Sequence, residues 1–176
     1  FVVEGKSGSG KSSLVKAGLI PDIQKSLKDE KLLYWKISNL TKSEGDLNRL
    51  LNDLYELLQA HWHYSSSQRL NMTDALSQPD SLIASLQEAQ QTNENTHLLW
   101  YIDQYEEIFN SSNIDPDQGK QFSVLLDKLT RATPNLIFII SIRSEYDDNL
   151  IKSSPESHVS SALKAEEWLD IIENQA

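Results

Sequence analysis

The sequence contains no cysteine, which excludes disulfide bonds, thiol catalysis and thiolate metal sites. Long hydrophobic runs are also missing: no apolar stretch approaches the ~20 residues that a membrane-spanning helix needs, and no signal peptide is visible. Basic residues number 16 against 26 acidic ones, so the formal net charge is −10. This balance argues against a broad surface for nucleic acid or for anionic membranes. We therefore expect a soluble, cytoplasmic protein without membrane contact or direct nucleic-acid binding.

The length of 176 residues suits one domain that buries a substantial core. The chain opens inside an apolar run without an initiator Met, and it ends directly after an amphipathic segment. We therefore expect it to be a piece of a larger polypeptide. We assign 1–152 to the core of the domain. We assign 153–176, which begins with a Ser-rich stretch, to a mobile linker and the start of a closing or lid segment.

A glycine-rich segment near the start carries the strongest chemical signal. Gly5 to Ser12 fits the phosphate-loop pattern G-x-x-x-x-G-K-[ST], with a β-branched run before it and helix-forming residues after it. Its glycines let backbone N–H groups converge on phosphate oxygens, and the following helix points its positive end at the same anion. We expect Lys11 to reach the β- and γ-phosphates and the Ser12 hydroxyl to ligate Mg²⁺. The predicted nucleotide-binding residues are Gly5, Ser7, Gly8, Ser9, Gly10, Lys11, Ser12 and Ser13.

Alternating strand and helix patterns predict an α/β fold. Four apolar runs predict strands at 1–4, 31–38, 97–103 and 135–143. Helical spacing of apolar residues predicts helices at 44–62, 80–91 and 119–130. This order predicts a parallel sheet with helices on both faces, a three-layer αβα sandwich that binds phosphate at the carboxyl edge of its strands.

Prolines and polar stretches predict the interruptions between these elements. Pro21 is expected to interrupt the first helix after Ile20, and Pro134 to occupy the turn before the fourth strand. The polar stretches 64–80 and 110–118 predict loops.

The third strand ends in Asp103, which is the Walker B arrangement of a carboxylate after a buried apolar strand. Such a carboxylate holds Mg²⁺ opposite the phosphate-loop hydroxyl. Just beyond it, Glu107 and Glu106 offer carboxylates that could orient and deprotonate an attacking water. Because adjacent side chains point in different directions, we expect only one of the two to face the phosphate. The other interpretation makes Asp103 a turn residue and the glutamates an acidic first helical turn.

The fourth strand ends in Arg143, level with Asp103. A guanidinium at this place would report the γ-phosphate and stabilise the charge of a transferring phosphoryl group. The alternative is a surface arginine paired with Glu145 or Asp147.

Taken together, these motifs resemble those of the STAND NTPases, signal-transduction ATPases with numerous domains, in the bacterial branch often fused to β-propeller or other repeats. The family loop Gly-x-Ser-Gly-Ser-Gly-Lys-Ser-Ser-Leu matches 5–14, and its Ala-Gly-Leu-hydrophobic-Pro segment matches 17–21. Its Walker B motif Asp-Gln-Phe-Glu-Glu-Leu-Phe differs only conservatively from 103–109, and its sensor ending Arg-Ser-Asp-Phe is similar to 143–146. Residues 163–176 resemble the segment that closes the core, with Asn-Gln-Ala in place of the family's Gly-Pro-Ala.

The resemblance implies a P-loop NTPase core whose sensor strand separates the Walker A and Walker B strands. It also implies an ATP-driven switch. ADP would hold a closed monomer, and ATP with Mg²⁺ would favour self-association through the NTPase domain. The oligomer would activate a fused effector in response to sensor domains outside this sequence, in bacteria often for antiphage defence. The resemblance implies Mg-dependent hydrolysis, which can be slow in such switches, and its catalytic residues would correspond to Glu107 or Glu106, Arg143 and Lys11.

Other classes of P-loop protein fit the sequence less well. An ABC transporter ATPase would need a Leu-Ser-Gly-Gly-Gln segment, which is absent. A GTPase would need Asn/Thr-Lys-x-Asp after the Walker B strand, and the lack of this motif favours ATP over GTP. A small-molecule kinase would want a lid with several arginines, whereas the whole sequence has only Arg49, Arg69, Arg131 and Arg143.

A scaffold whose assembly is gated by nucleotide, with negligible hydrolysis, remains an open alternative. It would need Lys11, Ser12 and Asp103 as much as a slow ATPase does, so the sequence does not separate the two.

Overall fold

A parallel β-sheet forms the centre of the molecule. The computed structural model of the chain describes residues 1–27, 31–40, 46–64, 72–146 and 162–164. The five strands are arranged in the order β2-β3-β4-β1-β5, and all neighbouring strands run parallel. They are β1 (Val2–Gly5), β2 (Leu32–Asn39), β3 (Thr96–Asp103), β4 (Leu136–Arg143) and β5 (Ala162–Lys164). The predicted separation of β1 from β3 by β4 is confirmed.

Strand β3 shows why the apolar runs predicted strands well. Leu98, Trp100 and Ile102 belong to the hydrophobic cluster on one face of the sheet. Leu99 and Tyr101 belong to the cluster on the other face, and all five side chains are fully buried. Since successive side chains of a strand point to opposite faces, a strand covered on both sides is apolar throughout.

Helices cover both faces of the sheet, so the predicted three-layer αβα architecture is confirmed. They are α1 (Lys11–Leu14), a π-helical turn (Val15–Leu19), α2 (Ile20–Ser26), α3 (Leu47–Trp62), α4 (Met72–Ser77), α5 (Pro79–Thr92), α6 (Glu107–Asn110) and α7 (Pro116–Ala132). The segment from α1 to α2 packs against one face, and the larger cluster under α3 to α7 lies against the other. Among the described residues, no helix is long and apolar enough to cross a membrane.

The predicted interruption of the first helix at Pro21 is wrong, because the chain stays helical to Ser26. The π-helical turn ends at Leu19 with a hydrogen bond from the Ile20 N–H to the Val15 carbonyl. This wider turn places Pro21 in the first turn of α2. The wider turn changes the backbone hydrogen-bonding pattern just before Pro21, which has no N–H to donate, and the helix continues past the proline.

The polar stretches also contain more helix than the sequence predicted. Helix α4 lies inside 64–80, and α7 begins at Pro116, before its apolar stripe starts. The early start of α7 has a local cause: the Asp115 side chain accepts hydrogen bonds from the N–H groups of Asp117 and Gln118. The structure also contains β5, a strand that the sequence did not predict. The linker and lid predicted for 153–176 otherwise lie outside the described residues.

Strand register brings the chemistry-bearing residues to one edge of the sheet. Gly5 pairs with Arg143 across β1 and β4, and Asn39 pairs with Asp103 across β2 and β3. Because all these strands are parallel, their carboxyl ends meet at the same edge.

Candidate nucleotide site

The glycine-rich loop leaves β1 and turns sharply into α1. Gly8 and Gly10 have φ angles of 75° and 82°, in the left-handed region that glycine adopts without steric cost. A hydrogen bond of 3.2 Å from the Ser9 N–H to the Lys6 carbonyl closes the loop. Gly5 lacks a side chain for a different reason, since a Cβ there would lie 2.7 Å from Ser9 Oγ.

Two polar groups of this loop are arranged as a binding site would require. The Lys11 ammonium donates to the carbonyls of Gly5 at 2.8 Å and Lys6 at 3.0 Å. The Ser9 hydroxyl is buried without a hydrogen-bond partner. A buried polar atom without a partner is costly, and a polar ligand in the loop would supply one.

The two predicted metal ligands meet directly. Ser12 Oγ donates to Asp103 Oδ2 at 2.8 Å, so the first helix and the end of β3 are in contact at the cleft. The Asn39 amide, at the end of β2, lies 3.5 Å from the same carboxylate oxygen.

The other carboxylate oxygen of Asp103 is held by three donors. The Tyr101 hydroxyl donates to Oδ1 at 2.9 Å, the Ser141 hydroxyl at 2.5 Å and the Gln104 N–H at 3.1 Å. Burial is the largest influence on this group and by itself would raise its pKa. The hydrogen bonds from Ser141, Ser12, Tyr101 and the Gln104 N–H together outweigh it and hold the Asp103 pKa below its usual value. The carboxylate is therefore kept ionised.

A strained turn follows Asp103 and decides which glutamate enters the cleft. Gln104 has a φ of 59°, unusual for a residue with a side chain. The turn is fastened to β4, because the Tyr105 N–H donates to the Ser141 carbonyl at 2.9 Å. Beyond it, Glu106 is almost fully buried, whereas Glu107 begins α6 and is partly exposed.

Glu106 forms an ion pair with the sensor-strand arginine. Arg143 Nε lies 3.0 Å from Glu106 Oε1, and the two side chains are 37% and 3% exposed. The second carboxylate oxygen, Oε2, is buried without a hydrogen-bond partner. The alternative in which Arg143 pairs with Glu145 gives way to this contact, and Asp147 lies outside the described residues.

These groups surround a cleft of about 300 Å³. Its lining consists of Ser7, Gly8, Ser9, Gly10, Lys11, Ser12, Ser13, Asp103, Gln104, Glu106 and Arg143. Of the predicted site residues, Gly5 and Glu107 are not in this lining; Gly5 contributes a carbonyl that receives Lys11.

Sequence reasoning missed the supporting residues Asn39, Tyr101, Gln104 and Ser141. A usable signal existed for Asn39, a polar residue at the carboxyl end of a strand. Tyr101 and Ser141 gave none, since both lie inside strands that read as core.

The oxygen ligands at the cleft fit magnesium. Mg²⁺ usually takes one or two protein oxygens and fills its octahedral shell with water and phosphate oxygens. The Ser12 hydroxyl and the ionised Asp103 carboxylate offer that set at one place. Within the described ranges there is no group of three or more His, Cys, Asp or Glu side chains that would enclose a metal by itself.

Comparison with solved structures shows the fold. The ORC2 protein of Aeropyrum pernix, solved as ADPNP–ADP complexes, matches with a TM-score of 0.55 and 15% identity over 99% of this chain and 45% of that chain. The monomer form of the pCW3 conjugation coupling protein TcpA with ATPγS matches with a TM-score of 0.39 and 16% identity, over 81% and 42%. The chain therefore spans less than half the length of either protein. No curated protein matches it.

The family comparison is more specific. The model of the family described as novel STAND NTPase 1 matches residues 1–173, nearly the whole chain. That match agrees with the glycine-rich loop, the strand order and the carboxylates at the edge of the sheet. The chain belongs to the novel STAND NTPase 1 family, and the resemblance to STAND NTPases is confirmed.

Proposed function

We propose that this domain is the ATP-binding and ATP-hydrolysing switch of a cytoplasmic signal-transduction protein. Its nucleotide state would control self-association through the NTPase domain, and the assembly would activate a fused effector, with antiphage defence as the biological setting. The assembly, the effector and the setting are supported by the family resemblance. The nucleotide chemistry is supported by the residues of the cleft.

One observation carries the proposal: the Ser12 hydroxyl and the Asp103 carboxylate meet at 2.8 Å beside a glycine loop and a lysine. The loop N–H groups and the N-terminal end of the first helix would bind the phosphates. Lys11 would leave the carbonyls of Gly5 and Lys6 and donate to the β- and γ-phosphates instead. Bound Mg²⁺ would offset phosphate charge, and Ser12 and Asp103 are the residues that would hold it.

Glu106 is the carboxylate we assign to the hydrolytic step. The oxygen of a water would attack the γ-phosphorus, the bond to the β–γ bridging oxygen would break, and the water proton would pass to Glu106. Glu106 lines the cleft and its Oε2 atom is buried without a hydrogen-bond partner, which supports the assignment of proton acceptance to this residue. Arg143 would stabilise the charge on the transferring group.

The ion pair between Glu106 and Arg143 also supports the alternative, a nucleotide-gated scaffold with negligible hydrolysis. While the two side chains are paired at 3.0 Å, Glu106 Oε1 is occupied by the guanidinium and Arg143 is turned to a protein partner rather than to a phosphate. A switch that signals by its bound state gains from slow hydrolysis.

The two neighbouring glutamates give a matched test. We would measure ATP binding by calorimetry and phosphate release for the full-length protein, for Glu106→Gln and for Glu107→Gln. A switch that hydrolyses ATP should lose most of its phosphate release in Glu106→Gln while still binding ATP, and Glu107→Gln should stay near the wild-type rate.

The other outcomes discriminate equally well. Loss of phosphate release in Glu107→Gln but not in Glu106→Gln would show that Glu107, and not Glu106, accepts the proton of the attacking water. ATP binding without release in the wild type would support the scaffold. Absence of ATP binding by the full-length protein would refute both.

A further inference from the structure

We infer that Tyr101 and Ser141 are positioning residues for Asp103. Their hydroxyl groups occupy one oxygen of its carboxylate, so that the other oxygen is presented, beside Ser12, to the magnesium of a bound nucleotide. The inference rests on the proposed nucleotide function and adds to it the residues that set the geometry of the metal ligand.

The hydrogen bonds of Asp103 are divided unevenly between its two oxygens. Oδ1 accepts from the Tyr101 hydroxyl, the Ser141 hydroxyl and the Gln104 N–H, at 2.9, 2.5 and 3.1 Å. A carboxylate oxygen has about two lone-pair sites, so these donors saturate it. Oδ2 points the other way, to Ser12 Oγ at 2.8 Å and, at the outer limit of hydrogen-bond distance, to the Asn39 amide at 3.5 Å. Rotation of the carboxylate would break all the bonds to Oδ1.

Both hydroxyls are carried by rigid neighbouring strands. Tyr101 lies two residues before Asp103, on the same face of β3, and its ring is fully buried in the cluster that includes Leu14 and Val15 of the first helical segment. Ser141 is also fully buried, on the adjacent strand β4. Groups locked by packing hold a metal ligand more closely than loop residues do.

Ser141 fixes the carboxylate from a second direction. Its hydroxyl accepts the Gln104 N–H at 3.2 Å while donating to Asp103, and its carbonyl accepts the Tyr105 N–H at 2.9 Å. One residue of β4 therefore holds both the side chain of Asp103 and the backbone that follows it.

The same chain provides a matched control. The hydroxyls of Tyr105 and Ser123 hydrogen-bond to each other at 2.8 Å, and both side chains are as deeply buried as those of Tyr101 and Ser141. Neither lines the cleft. Removal of these hydroxyls costs stability in the same way, but it leaves Asp103 untouched.

The test separates magnesium binding from nucleotide binding. In the full-length protein we would titrate Mg²⁺ into ATP complexes of the wild type and of Tyr101→Phe, Ser141→Ala, Tyr105→Phe and Ser123→Ala. ATP affinity without Mg²⁺ would be measured in EDTA. We expect Tyr101→Phe and Ser141→Ala to need about 10-fold to 100-fold more Mg²⁺ than the wild type. Their ATP affinity in EDTA should stay near the wild-type value, and the two control variants should match the wild type in both measurements.

Several results would overturn the inference. One is a wild-type Mg²⁺ requirement in Tyr101→Phe and Ser141→Ala; another is an equal increase in all four variants, which would indicate a general loss of stability. If one of the two fails to fold, the other still decides, because each removes a separate hydroxyl from a different strand. A wild-type protein that binds ATP independently of Mg²⁺ would refute the inference alone, whereas one that binds no nucleotide would refute the proposed function as well.

Discussion

At the scale of single residues, the buried carboxylate of Glu106 has Arg143 as its ion-pair partner. The carboxylate is almost fully buried, and Arg143 lies 3.0 Å from its Oε1 atom. We expect Arg143→Met to lower the free energy of unfolding by about 2 kcal/mol, because a buried carboxylate would lose its partner. The effect is smaller than for a fully buried pair since Arg143 is 37% exposed. Urea denaturation of the nucleotide-free protein measures it.

The ion pair between Arg131 and Asp127, whose arginine is exposed, gives the reference for that experiment. Arg131 and Asp127 are 3.1 Å apart on the surface of α7, and Arg131→Met should cost less than about 1 kcal/mol. The double variant Arg143→Met/Glu106→Gln should recover most of the stability lost in Arg143→Met, because it removes the unpaired charge. Equal losses in the two single arginine variants would contradict the dependence of Glu106 on Arg143.

His97 makes stability depend on pH. Its side chain is buried, Nδ1 has no hydrogen-bond partner, and burial followed by repulsion from Lys31 lowers its pKa below 6.5. At a pH below the pKa of His97 in the unfolded chain, the unfolded chain binds a proton there, whereas the folded protein does not do so until the pH falls to its own lower pKa. The contribution of His97 is therefore complete above about pH 6.5 and is lost as pH falls through its folded pKa.

We expect the stability advantage of the wild type over His97→Gln to shrink between about pH 7 and about pH 5. Urea denaturation at each pH measures the difference. A constant difference across this range would show that the titration of His97 does not contribute.

At the scale of elements, Gly119 lets α7 lie directly against α6. A Cβ at this position would be 2.9 Å from the Ile108 carbonyl oxygen, a backbone atom that moves only with its helix. Replacing glycine by alanine stabilises an isolated helix by about 1 kcal/mol, but the overpacking caused by the added Cβ costs about 1–3 kcal/mol. We therefore expect Gly119→Ala to be less stable than the wild type by about 1 kcal/mol, measured by urea denaturation. As a control, Lys120→Ala, an exposed change on the same helix, should have almost no effect on stability. A Gly119→Ala variant more stable than the wild type would show that α6 can move to accommodate the added Cβ.

Prediction from sequence succeeded for elements with a periodic or continuous apolar signal. Strands β1 to β4 and helices α3, α5 and α7 were found because burial dictates their residues. The six-residue helix α4 and the three-residue strand β5 are too short to show a period. The sequence did not decide which of Glu106 and Glu107 faces the cleft. Their orientation depends on the turn at Gln104, whose positive φ is not apparent from the sequence.

At the scale of the whole molecule, the candidate site is assembled from segments distant in sequence. The loop after β1 and the start of the first helix line one side of the cleft, and β3 supplies Asp103. Strand β4 contacts both carboxylates, through Ser141 to Asp103 and through Arg143 to Glu106. These two residues of β4 lie on one face because they are two apart. A nucleotide bound here would therefore join the edge of the sheet to the first helix.

Such a ligand should stabilise the folded protein as a whole. ATP with Mg²⁺ at about 100 times Kd contributes about 2.7 kcal/mol, which corresponds to a rise in Tm of about 5–10 °C for a domain of this size. We expect Lys11→Ala to lose this shift, because the proposed function gives the Lys11 ammonium, which lies at the cleft beside the glycine-rich loop, the role of binding the phosphates. Lys16→Ala should keep it, because Lys16 is exposed on the same helical segment and does not line the cleft. Differential scanning calorimetry with and without ATP measures all of these shifts. Equal shifts in the two lysine variants would mean that ATP binds elsewhere on the molecule.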